Sequence, residues 1–344
     1  MTGILPEALA GHFFGVGSLG EVDHDSPMQY MKKLALPYSF QLPAFREEDM
    51  IRQFGAIVEG YEEEGEFVLD IDIDTYRDIT SEDEPLLPSG AYMPSLYSMM
   101  DGTQYPYFKT QQTAPATMCF SIRGSDGKQL FNRSMFHFFV HLMSRIALGQ
   151  LRHLKEHCET IILCQDDPSL GFVRDMIETD RASGVFLDQI IEKTDAIYPS
   201  GVVPAFHYCG DWRELRKDDW FLLWDSLPKL AHIDVLRYPP DIDEEQTERM
   251  NGFMKRGGGL ALGLLPNVDE GYTRSVLETL RVNLATTLDK MVKTGIDIDL
   301  VERNTMLSTQ CGLSGASVSL TREIHEQSAY FRSEFTDILE RLTR

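Results

Sequence analysis

The sequence predicts an α/β fold, a TIM (β/α)8 barrel. Three observations carry that reading. The chain has 344 residues, a length that fits one barrel with an insertion. Short apolar runs alternate along it with amphipathic stretches. There are eight such runs, the number that closes a barrel, and none of them reads as an edge strand. A doubly wound open sheet is the alternative.

The runs lie at 12–18, 38–43, 116–122, 160–167, 203–209, 232–238, 259–266 and 304–312. Each has strand length and is bounded by Gly, Pro or Asp. Helical spacing of apolar residues marks 136–157, 211–227, 244–256, 275–294 and 319–344. One stretch, 59–112, breaks the alternation. It opens with an acidic run (Glu62, Glu63, Glu64, Glu66), continues as an alternating strand carrying Asp70, Asp72 and Asp74, and then becomes turn-rich. It is too long for a plain connection and reads as an insertion between the second and third strands, a hairpin plus a loop. Its Tyr and Met residues either cover a pocket mouth or pack on the barrel's flank. The whole chain, 1–344, reads as a single barrel domain.

Charge excludes several functions. Lys and Arg number 32 against 54 Asp and Glu, a net charge of −22. A nucleic-acid binder needs a basic footprint, so none is expected here. Docking on anionic lipid is disfavoured for the same reason. No apolar stretch approaches the roughly 18 residues of a spanning helix, and no membrane partner is expected. The N-terminal stretch MTGILPEALAGHFFGVGS lacks a basic n-region and reads as no signal peptide. Five cysteines are too few, and odd in number, for a disulfide scaffold. A reducing cytoplasm is the expected location.

The strongest chemical signal is His207-Tyr208-Cys209, at the end of the fifth run. Side chains alternate along a strand, so His207 and Cys209 point the same way. Strand C-terminal ends are where barrels place their sites. Cys311 ends the eighth run, and an ion over the barrel axis could be reached from both runs. One His and two Cys favour zinc, with three protein ligands and one open position. A core histidine beside a buried cysteine is the plainer reading of the pair alone.

Gln165-Asp166-Asp167-Pro168 ends the fourth run. Only one of two adjacent acids can face a pocket, and Asp166 is the choice, as acceptor for a substrate ammonium. Asp167 fits better as an acid at a helix N-terminus. Gly15-Val16-Gly17-Ser18-Leu19-Gly20 matches G-x-G-x-x-G, yet no acid ends the following run as a dinucleotide site would require. The backbone N–H groups of Gly17 and Ser18 could hold a substrate carboxylate, or the segment is simply a tight turn. The pairs His137/His141 and His153/His157 lack the glutamate of a zinc-protease helix. Cys119, Cys158 and Cys164 read as small core or surface residues.

In order along the chain, GVGSL, PYSFQLPAFRE, QTAPATMCFSI, TIILCQDDPSLGF, FHYCGDW, RGGGLALGLLP and LSTQCGLSGAS resemble the catalytic barrel of cobalamin-independent methionine synthase. The resemblance runs from about residue 12 to 340 and is nearer to the stand-alone core type; the superfamily also includes uroporphyrinogen decarboxylases. It implies that His207, Cys209 and Cys311 hold Zn(2+), that Gly17 and Ser18 bind the amino-acid carboxylate, and that Asp166 binds the amino group. It implies methyl transfer to a thiol, homocysteine giving methionine, from a methyl-corrinoid or 5-methyltetrahydrofolate. A corrinoid protein is a possible partner. Full-length relatives place a glutamate ligand at the end of the sixth strand. Here Arg237 falls near that position, with Asp234 as a possible replacement. Gly20 stands where relatives commonly have proline. Rival readings are another acceptor such as coenzyme M, a decarboxylase, or a non-catalytic zinc or corrinoid binder. Against the decarboxylase, residues 12–30 contain no arginine for substrate carboxylates.

Overall fold

A computed structural model describes residues 3–342 apart from 64, 180 and 183. Seven parallel strands form one curled sheet in chain order: β1 (Phe13–Phe14), β2 (Tyr105–Thr113), β3 (Cys158–Asp166), β4 (Val202–Tyr208), β5 (Leu230–Asp234), β6 (Gly259–Leu265) and β7 (Thr305–Thr309). Each strand from β2 to β7 pairs with the next, and β7 returns to β1. Parallel neighbours need crossovers, and helices such as Arg133–Leu154, Glu244–Lys255 and Val276–Thr294 supply them.

The remaining gap, between β1 and β2, is spanned by residues 37–41. Ser39 N donates to Lys109 O at 2.9 Å, and Lys109 N donates to Pro37 O at 2.9 Å. Gln41 N donates to Gly17 O at 3.1 Å, and Leu19 N donates to Gln41 O at 2.9 Å. Both bridges run parallel. The result is a TIM-like arrangement, with one stave too irregular to count as a strand.

Two sets of side chains show which way the strands face. Phe14, Ile162, Cys164, Ala205, Leu230, Ala261 and Met306 pack together inside the curl. Period two then sends His207 inward with Ala205, and His232 inward with Leu230. The other faces join a larger core beneath the helices. Cys119, Cys158 and Cys164 are all buried and free.

Several expectations are corrected. The third strand is not 116–122 but Tyr105–Thr113. Pro115 opens a helix over Pro115–Ser121 that buries Ala116, Met118 and Cys119, so its apolar run serves a helix. The true strand carries Lys109, Thr110, Gln111 and Gln112, all buried, and therefore lacks an apolar signature. Residues 105–112 thus belong to the sheet and not to an excursion over 59–112. Before them lie a hairpin (Tyr61–Glu63 with Phe67–Leu69) and helices Ile73–Ser81 and Pro94–Met99. Asp72 is no strand residue but the cap of Ile73–Ser81, accepting from Asp74 N and Thr75 N. Glu63 pairs with Arg46 and Arg52, and Glu66 with Arg123; Glu64 lies outside the described residues. Met93, Met99 and Met100 pack in the core.

The helix expected over 211–227 is also absent. A 3-10 turn, Trp212–Glu214, leads into a two-stranded ribbon that reverses at Asp218, whose φ is 52°. Trp212 and Trp224 meet edge to face beneath it, ring centroids 5.8 Å apart. The sixth run is a strand only over Leu230–Asp234. It ends when Asp234 turns its carboxylate onto the N–H groups of Leu236 and Arg237.

The loops after β1 and β7 lie against each other. Leu313 N donates to Ser18 O at 2.7 Å, and a Cβ on Gly20 would meet Ala316 O at 2.0 Å. That contact explains why the backbone at position 20 carries no side chain. Gly20→Ala should cost about 1–3 kcal/mol by overpacking, read as a lower denaturant midpoint. An unchanged midpoint would show that the loops have slack.

Candidate metal centre

His207 is the next-to-last residue of β4, and Cys209 follows the strand's end, past the last ladder pair. Cys311 follows β7 by two residues. The curl brings β7 round to face β4. The ligating atoms of His207, Cys209 and Cys311 lie within 4.8 Å of one another, and among the described residues no other group of three His, Cys, Asp or Glu side chains converges in this way. Cys311 Sγ is 3.6 Å from His207 Nε2. Such a group could hold a metal ion.

The three side chains perturb one another. The neighbouring Cys209 thiol pulls the Cys311 pKa down against burial, and His207 adds to the effect. Cys209 is pushed up by its Cys311 neighbour and by burial. Burial opposes charge on His207, but the Cys311 hydrogen bond and charge, with Asp166, raise its pKa overall.

Behind His207 stands His232, a residue the sequence reading missed. His207 Nδ1 lies 2.7 Å from His232 Nδ1, and His232 Nε2 lies 2.9 Å from Thr309 O. His232 is wholly buried, which holds its pKa well below the ordinary histidine value. A histidine inside a short apolar run, in register with the His-x-Cys strand, was the available signal.

The proposed fourth-ligand positions do not join the group. Asp234 is buried, accepts from Leu236 N and Arg237 N at 3.0 and 2.9 Å, and receives Gln310 Nε2 at 3.3 Å. Arg237 is exposed and sits 3.8 Å from the Asp234 carboxylate. Neither offers an atom within reach of the three.

A cavity of about 250 Å³ opens over the cluster, lined among others by Ser18, Gln41, Glu48, Asp166, Cys209 and Cys311. Asp166 Oδ1 is buried there without a hydrogen-bond partner. Burial raises the Asp166 pKa, against the pull of Lys109. Asp167 is turned away from the cavity: Thr117 Oγ1 donates to its Oδ1 at 2.6 Å. Glu48 was also missed, because its Arg-Glu-Glu-Asp context reads as a solvated face. It is buried, bonds His24, and accepts from Leu42 N at 3.0 Å.

The turn at Gly17 and Ser18 is set by the buried amino group of Lys109. Lys109 Nζ donates to Val16 O at 2.7 Å and to Gln111 Oε1 at 2.9 Å. A trans peptide points its C=O and N–H in opposite directions. With Val16 O aimed at the amino group, Gly17 N–H aims away from it. Gly17 N–H and Ser18 N–H have no partner among the described residues. A Cβ on Gly17 would lie 2.7 Å from Gln111 Nε2, at a φ of 155°. The G-x-G-x-x-G segment does not open a helix; the next helix is Asp25–Met31. His137 and His141 stack edge to face with ring centroids 4.3 Å apart, and no third ligand joins them.

No protein-family model matches the sequence, and no curated protein matches it. Among solved structures, the chain is similar to a B12-independent methionine synthase from Shewanella sp. W3-18-1, in complex with selenomethionine. The TM-score is 0.46 at 14% identity, covering 81% of this chain and 71% of that one. No helix among the described residues is long and apolar enough to cross a membrane.

Burial lifts the Asp167 pKa to about 7, against about 3.9 in an unfolded chain. Between those values the folded state holds a proton that the unfolded state releases, so stability falls as pH rises from about 4 to about 7. Asp167→Asn stays neutral and keeps the Thr117 bond. It should match wild type near pH 4 and gain on it towards pH 7, by about 1.4 kcal/mol for each pH step of one between those values. Parallel pH profiles for both proteins would contradict this.

Proposed function

We propose that this chain is a zinc-dependent methyltransferase that methylates a thiol, with homocysteine as acceptor and methionine as product. The observation that carries the reading is one cavity holding two features. Its floor has the His207, Cys209 and Cys311 ligand atoms within 4.8 Å of one another. Its wall has a buried, unpartnered carboxylate oxygen of Asp166. The ordered motif resemblance to cobalamin-independent methionine synthase supports the same reading.

The donor set suits zinc. One imidazole and two sulfurs, one of them with its pKa lowered by its neighbours, make a borderline-soft three-ligand site with a position left for substrate. Zinc bound there would deprotonate an acceptor thiol and leave its sulfur nucleophilic. His207, Cys209 and Cys311 would hold it. Asp166 would accept the substrate ammonium, which supplies the missing partner for its buried oxygen. The N–H groups of Gly17 and Ser18 would donate to the substrate carboxylate, with Lys109 and Gln111 fixing the turn. A cavity of about 250 Å³ fits a small amino acid and leaves the methyl donor to approach from the barrel mouth.

The donor reading favours a methyl-corrinoid, presented by a corrinoid protein. The acceptor sulfur attacks the methyl carbon in line. The new S–C bond forms as the Co–C bond breaks, and cobalt keeps the electron pair, so no proton is needed. Methyl transfer from 5-methyltetrahydrofolate requires a general acid at the leaving nitrogen. Glu48 is the residue that favours this second reading, since burial raises its pKa and it faces the cavity.

Purified wild type should hold about one zinc per chain, and Cys311→Ala should lose most of it. Asp166→Ala should keep the zinc and lose homocysteine binding, measured by calorimetry. Methyl-corrinoid should support turnover with homocysteine where 5-methyltetrahydrofolate does not. Wild type that binds no zinc under metal-replete conditions would overturn the proposal. Homocysteine binding unaffected in Asp166→Ala would remove that residue's role.

A further inference from the structure

Thr309, His232 and His207 form a line that ends at the ligand cluster, and the roles along it can be assigned from atoms. A carbonyl oxygen only accepts, so His232 Nε2, 2.9 Å from Thr309 O, carries a hydrogen. His232 is wholly buried, and its ring nitrogens have only Thr309 O and His207 Nδ1 as partners, neither of them a carboxylate. A cation there would cost too much, so the ring is neutral and its Nδ1 is a bare lone pair. His207 Nδ1, 2.7 Å away, must then be the donor. That commits the Nδ1 proton of His207 to His232 and leaves Nε2 as the atom that can face a metal. Nε2 is also the atom turned towards Cys311 Sγ, at 3.6 Å.

The geometry points to His232 as a positioning residue for the metal centre: it fixes His207 in the Nδ1–H form and the ring in one orientation, so that Nε2 alone is presented to the ion. The inference rests on the zinc reading above for its consequence, but not for the hydrogen-bond assignment. A buried imidazole is a distinctive choice of acceptor. A carboxylate in its place would orient His207 equally well but would add a negative charge beside two cysteines and an incoming thiolate. His232 orients without adding charge. The anchor is also informative. Thr309 is the last residue of β7, two before Cys311, and its hydroxyl donates to Cys311 O at 2.7 Å. One residue therefore ties the orientation of the His207 ring to the loop that carries the Cys311 ligand.

Two measurements test this. In metal-free, 15N-histidine-labelled wild type, NMR should show a proton on His207 Nδ1, coupled across the hydrogen bond to an unprotonated His232 Nδ1. A bare His207 Nδ1 would overturn the assignment whether or not the protein binds zinc. In chelator competition, His232→Leu should weaken zinc binding by about 10- to 100-fold. His232→Gln, which can accept from His207 and donate to Thr309, should recover most of the loss. Wild-type affinity in the Leu variant would overturn the positioning role. So would a Gln variant no better than Leu while both melt like wild type. Should the Leu variant fail to fold, the wild-type spectrum and the Gln variant still decide. Wild type without zinc affinity, but with the expected spectrum, would mark failure of the zinc reading and not of the hydrogen-bond chain.

Discussion

Four backbone hydrogen bonds around residues 37–41 hold the two ends of the parallel sheet together. Everything at the barrel mouth depends on them. Asp166 ends β3 and His207 lies one residue before the end of β4, but Cys311 and Ser18 follow strands at the far end of the sheet order. These residues share a cavity because the sheet is curled until β1 and β2 meet the same short segment. The segment is irregular for a physical reason: Pro37 cannot donate, and Pro43 ends the extended run. It forms just enough ladder to close the ring. Lys109 serves the closure twice, through its backbone to residues 37 and 39 and through its amino group to Val16 O.

The barrel interior changes character from bottom to top. Low in the curl it is apolar, filled by Phe14, Ile162, Leu230 and Met306. Higher up come the buried polar groups Lys109, Gln111, His207 and His232, with half-buried Asp166 beside them. Most have their partners inside the protein: Lys109 has two acceptors and lies over the Phe14 ring at 5.0 Å, and His232 is bonded at both nitrogens. Asp166 Oδ1 is the exception. A satisfied polar network lies below an unsatisfied carboxylate oxygen and a His-Cys-Cys group that could hold a metal ion. The chain's net charge of −22 says nothing of this, because the local balance around one lysine, two thiols and two acids is set by burial.

Apolar strands were legible in the sequence, and polar ones were not. Runs such as Val202–Tyr208 and Gly259–Leu265 announce themselves by composition and length. Tyr105–Thr113 does not, because it exchanges apolar inward residues for Lys109 and Gln111, which carry the turn at Gly17. The neighbouring 116–122 run has the composition of a strand, but Pro115 and its depth beneath Arg133–Leu154 make it a helix. The ribbon at 216–221 was hidden because a two-residue strand has no period to detect. At the site, His207, Cys209 and Cys311 could be picked out because their spacing carries chemistry. His232 and Glu48 could not. Their roles come from register and fold, where a histidine on β5 meets its opposite number on β4, and a glutamate in a charged run turns inward.

The central claim is that the His207, Cys209 and Cys311 cluster binds zinc and presents it to a substrate thiol. X-ray absorption at the zinc edge of the loaded protein tests this most directly, with and without homocysteine. The account predicts one nitrogen and two sulfur neighbours from the protein, and a third sulfur when homocysteine is added. A zinc shell that lacks the two cysteine sulfurs, or one that gains no sulfur from homocysteine, would contradict it.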